Sequence, residues 1–141
     1  MTHPTSLRFR DGRTLERLKD EAAARGRSAS ALAEELIDEG LRMRRHPLIV
    51  FRDGPCGRRA GLAAGADVWE VVGGVVGGNV PASERVGRAV ELFGLRRDQV
   101  DAVLTYYAEH TQEVDAQIDA NRAAGEESEA LWRRQRDLLG R

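Results

Sequence analysis

Ser6–Gly12 reads SLRFRDG, and these seven residues decide how the chain folds. Apolar and polar side chains alternate, so in an extended strand Leu7 and Phe9 fall on one face and Ser6, Arg8 and Arg10 on the other. A lone strand cannot satisfy its own backbone donors and acceptors. Helix-like sequence comes directly after it, so the cheapest ladder partner is the same strand from a second chain. Two copies paired antiparallel form a ribbon. Its apolar face covers the helices of a homodimer, and its polar face shows Ser6, Arg8 and Arg10 twice. Such a ribbon fits the DNA major groove, where arginine pairs bidentately with guanine. The competing reading is an exposed edge whose arginines only discourage aggregation. The two helices and the turn that stand next in register favour the ribbon.

Outward from this strand, Thr14–Gly26 predicts a helix with Leu15, Leu18 and Ala22 on one face, Thr14 as its cap and Gly26 as its stop. Arg27–Arg45 predicts a second helix, capped by Ser28 or Ser30, with Leu32, Leu36, Ile37 and Leu41 as its stripe. Pro47 blocks its continuation. Leu48–Leu62 predicts a hairpin around the turn cluster Asp53-Gly54-Pro55-Cys56-Gly57. Helices are predicted for Ala66–Gly78, ending at glycines, and for Pro81–Leu95. A third in this region starts near Asp98 and runs on to Ile118, with a break near His110–Thr111. The polar Asn121–Glu129 reads as a linker or frayed helix, and Ala130–Arg141 as a short amphipathic helix.

Composition sets outer bounds. The 141 residues suit one ordinary domain or two small ones, and with only 5% aromatics the cores are thin enough to need partner surfaces. The net charge of −1 hides an asymmetry: Met1–Pro47 carries 10 basic and 8 acidic residues, Asp101–Arg141 carries 5 and 9. That suggests a nucleic-acid surface at one end and a different partner at the other. A single cysteine, Cys56, excludes an intrachain disulfide and fits a reducing compartment. No apolar run reaches membrane-spanning length and no secretory leader is evident, so a cytoplasmic protein without membrane contact is expected.

Leu7–Leu41 resembles a ribbon–helix–helix DNA-binding domain: alternating strand, helix, the turn Gly26-Arg27-Ser28-Ala29-Ser30, then a second helix with an apolar stripe. It departs from that pattern at Asp11-Gly12, where many members have a longer capped entry to the first helix. The resemblance implies that the N-terminus of the second helix holds a DNA phosphate, making Arg27, Ser28 and Ser30 phosphate contacts; free N–H groups and the positive dipole end agree with that. His46 to about Ala124, through Val-Trp-Glu-Val-Val and Gln99–Tyr107, resembles small helix-turn-helix-like domains of unassigned function that accompany such modules in antitoxins. Together the chain is similar to CopG/VapB-type antitoxins, the partners of PIN-like ribonuclease toxins. The fold class expected is mainly α: a ribbon–helix–helix over residues 1–46, a hairpin plus helical domain over 47–124, and a partner-binding tail over 125–141.

The resemblance implies an antitoxin that neutralises its cognate toxin and represses its own operon by binding operator DNA as a dimer. Toxin-binding candidates are Leu131, Trp132, Arg133, Arg134, Arg136, Leu138 and Leu139; tryptophan and arginine are typical interface anchors, and the arginines suit an acidic metal-holding site. The tail folding back on its own domain, or pairing with another protomer, is the plainer alternative. A stand-alone dimeric regulator without a toxin is the other functional reading, and an adaptor that uses the ribbon only to dimerise is a third. Arg52, Arg58 and Arg59 are accessory DNA candidates, and Arg96 and Arg97 weaker ones because carboxylates come after them. His3, His46 and His110 are scattered without metal-ligand spacing, Cys56 has no nucleophile motif, and the glycine-rich VVGGVVGGN lacks a phosphate-loop lysine and reads as a flexible helix end. No cofactor, metal or enzymatic activity is expected.

Overall fold

Asp11 opens the first helix: its Oδ1 accepts the Arg13 amide at 2.9 Å and satisfies one of the donors a helix start leaves free. Thr14 therefore lies inside the first turn rather than capping it. In this computed structural model, which describes residues 1–76 and 78–140, helix α1 spans Gly12–Ala24. Gly26 ends it in the left-handed region at φ 64°, with the Arg27 amide bonded back to Ala22 O at 2.9 Å and the Gly26 amide to Ala23 O at 3.1 Å. Ser28 then caps α2, Ala29–Arg45, by accepting the Ala31 amide at 3.1 Å.

The chain divides into two compact units, Met1–Arg42 and Met43–Arg141. The first unit buries very little. Its buried residues are Ala22, Leu32 and Glu39. A 42-residue unit with two buried apolar side chains is far below what a self-sufficient core requires.

The second unit has a real core. Strands β1 (Ile49–Arg52) and β2 (Arg59–Leu62) pair antiparallel, Ile49 opposite Leu62 and Arg52 opposite Arg59. Helix α3 (Val68–Val75) starts with a capping box, the Asp67 amide donating to Glu70 Oε2 at 2.8 Å. A 3-10 turn at Ala82–Glu84 leads into α4, Arg85–Phe93, and α5 spans Arg97–Glu109. Ile49, Leu62, Val68, Val71, Val72, Val75, Ala89, Val100, Val103, Tyr106 and Val114 form one buried cluster. The glycines of α3 are contact points rather than a loose end: Gly74 leaves room for the Phe93 ring and Gly73 for Ile118. Gly77 of the predicted Ala66–Gly78 helix and Arg141 of the predicted tail lie outside the described residues.

The break expected at His110 is real, but the chain beyond it is not the linker and short helix that its polarity suggests. Helix α6 runs unbroken over Thr111–Leu138 and absorbs Asn121–Glu129, so the C-terminal amphipathic piece is the end of a 28-residue helix. Asn121–Glu129 has almost no apolar stripe, yet its alanines, glutamates and arginine are strong helix formers, and Arg122 pairs with Asp119 and Arg133 with Glu129 along the exposed surface. Among the described residues the architecture is mainly helical, six α-helices with one small hairpin.

Candidate nucleic-acid interface and partner-binding surfaces

Leu7 and Phe9, with Leu18, Leu32, Leu36 and Ile37, line an open groove of about 1050 Å³ within the first unit. The groove is apolar and uncovered: Leu7 is 58% exposed, Leu36 49% and Ile37 47%. Ser6, Arg8 and Arg10 are exposed, and Ser6–Phe9 is neither helix nor strand within the single chain. The sheet described holds only β1 and β2, so the N-terminal segment pairs with neither.

Of the three turn residues, Ser28 spends its hydroxyl on the Ala31 amide, and Arg27 is ion-paired with Glu35. Ser30 sits exposed in the first turn of α2. An anion arriving at this helix start would therefore compete with Glu35 for the Arg27 guanidinium.

The hairpin arginines, accessory DNA candidates by sequence, are each paired with a carboxylate. Arg52 Nε bonds Asp67 Oδ1 at 2.8 Å, Arg59 Nε bonds Asp67 Oδ2, and Arg58 reaches Asp53 Oδ1 at 3.3 Å. Burial of Asp67 works to raise its pKa, but the hydrogen bonds from Arg59 and Arg52 outweigh it and hold the carboxyl below the ordinary value. Gly61 makes this possible: a Cβ there would collide with the Arg52 guanidinium and the Asp67 carboxylate. Arg96 is likewise tied to Asp98 by two hydrogen bonds of 3.0 and 2.9 Å.

Two histidines that look scattered in sequence come together. His46 is 5% exposed, and its Nε2 lies 3.0 Å from Glu109 Oε2. Arg45 holds the same carboxylate through Nε at 3.0 and 2.8 Å and through a terminal nitrogen at 2.7 Å. The Arg45 hydrogen bonds are the largest influence on Glu109; burial opposes them, the His46 hydrogen bond adds to them, and the carboxyl pKa is lowered to about 2. His110 stands beside them, its ring centroid 6.2 Å from that of His46. The three groups lie up to 64 positions apart in sequence, which spacing rules cannot detect.

The C-terminal candidates share one continuous exposed stretch. Every residue from 122 to 140 is exposed, with Leu131 and Trp132 each at 53% and Leu138 at 86%. Leu139 is also exposed, and the Arg136 guanidinium stacks 4.7 Å from the centre of the Trp132 ring. Arg133 is held by Glu129, and Arg134 is exposed. Among the described residues the tail does not fold back on its own unit.

Among the described residues no helix is long and apolar enough to cross a membrane. No protein-family model, no curated protein and no solved structure matches this chain.

Proposed function

We propose that the protein is a dimeric ribbon–helix–helix DNA-binding repressor that also captures a second protein through the end of α6, in the manner of an antitoxin with a PIN-like ribonuclease toxin. The observation that carries the reading is the uncovered apolar groove of the first unit, lined by Leu7, Phe9, Leu32, Leu36 and Ile37. A second copy supplies what covers it. Fully burying one such side chain contributes roughly 1.5–3 kcal/mol, so a symmetric set from two chains outweighs the entropy of ordering a short N-terminal strand. Pairing also gives the Ser6–Arg10 backbone its missing ladder and places Ser6, Arg8 and Arg10 together on one polar face. The helix start at Arg27, Ser28 and Ser30 supplies phosphate contacts, with the phosphate replacing Glu35 at Arg27.

The exposed apolar and arginine side chains of α6 support the partner-binding half of the proposal. Leu131, Trp132, Leu138 and Leu139 lie on one side of the stretch beyond Asn121, every described residue of which is exposed, a shape suited to a groove in another protein. Arg133, Arg134 and Arg136 suit an acidic metal-holding centre.

The test has two arms. Sedimentation and operator-binding measurements on R8A/R10A should give an intact dimer with sequence-specific affinity reduced at least tenfold; undiminished affinity would refute the DNA reading. Co-purification of the adjacent gene product with the full chain, and its loss on deleting 130–141, tests the partner. A chain that binds operator DNA but retains no ribonuclease would be the stand-alone regulator instead.

A further inference from the structure

We propose that His46, Glu109 and His110 form a site for a divalent transition-metal ion of the zinc class. This stands apart from the DNA and partner readings, because all three residues lie in the second unit and none belongs to either surface. Each offers one donor atom, and the three donors lie within 4.8 Å of one another. The His46–Glu109 pair, at 3.0 Å, is already close to the separation of about 3.3 Å between ligand atoms around a tetrahedral ion. Half-buried His110 closes the remaining distance by rotating its ring.

Two imidazoles and a carboxylate select zinc, cobalt or nickel over calcium or magnesium, which prefer all-oxygen sites. The fourth position is left for water. The His46 imidazole is held in place before the ion arrives. Tyr106 is fully buried and packs edge-on against His46, with centroids 5.2 Å apart, and lies tilted by 33° against His110 with centroids 4.5 Å apart. The Tyr106 hydroxyl is itself fixed, donating to Glu113 Oε2 at 2.8 Å. Such outer contacts orient metal ligands and strengthen their grip.

Arg45 now supplies the positive charge that Glu109 requires. Its side chain is 70% exposed and can leave for solvent at little cost. The ion takes its place, so the guanidinium acts as a competing cation built into the site. That makes a distinctive prediction: removing Arg45 tightens metal binding, whereas in a purely structural ion pair it would only loosen the junction.

The experiment is calorimetric titration of the full-length chain with zinc chloride, repeated with cobalt chloride and read by visible absorption. An H3A/C56S background removes the third histidine and the one thiol. About one ion per protomer should bind in that background with a tetrahedral cobalt spectrum. H110A should weaken binding at least tenfold, and R45Q should strengthen it severalfold, both with unchanged circular dichroism. Absence of saturable binding, equal affinity in H110A, weaker binding in R45Q, or loss of the signal in H3A/C56S would each overturn the proposal.

Discussion

Gly74 and Gly73 are neighbours in α3 with opposite demands. A Cβ on Gly74 would sit 3.0 Å from Phe93 Cζ, whereas one on Gly73 would meet Ile118 at an ordinary 3.8 Å. Gly74→Ala must displace an aromatic ring, a cost of roughly 1–3 kcal/mol, less the ~1 kcal/mol that alanine gains in a helix. Gly73→Ala should keep that gain. Urea denaturation should place the first below the wild type and the second above it. Asp67 sets a pH dependence of known sign. Its folded pKa is depressed, so its contribution is complete above the ordinary carboxylate range and is lost as pH falls through the folded value. Asp67→Asn should lower the melting temperature at pH 7 and flatten its decline below pH of about 4, measured by thermal melts across the acid range.

At the level of elements, α6 and α2 carry different risks. The core contribution of α6 comes from Val114, with Gln117, Ile118 and Asn121 partly buried behind it. Deleting 125–141 should therefore lower the helical dichroism while leaving the thermal midpoint of the second unit nearly unchanged. Ser28→Ala should cost about 1 kcal/mol of α2 stability, read as earlier loss of helix in a melt. Periodicity explains which elements were legible in the sequence. The helices α1 to α5 and the hairpin each carry an apolar stripe or a turn cluster, so they were visible to within a few residues. The middle of α6 carries neither, and only the propensity of its alanines and glutamates argued for helix. The pairing of Arg52 and Arg59 with Asp67, and the gathering of His46, Glu109 and His110, depend on contacts between distant segments, which no local pattern encodes. Leu7 and Phe9 were legible as an apolar pair from their alternation, and both line the groove, but Ser6–Phe9 is neither helix nor strand within the single chain.

For the whole molecule, the two units differ in how far they can stand alone. Ile37→Glu places a charge in the groove of the first unit. It should produce a monomer by sedimentation, with part of the helical signal lost and the cooperative melt of the second unit retained; a folded, dimeric I37E protein would contradict the shared-core interpretation. The exposed stretch of α6 has a further consequence. A helix held only by its own hydrogen bonds opens with a free energy near zero, whereas amides at Val100–Tyr106 are released only when the core comes apart. A protease meeting the chain by itself would cut readily beyond Asn121, leaving a second unit that still folds but has shed its handle. Occupancy of that handle would then govern how long the intact polypeptide survives.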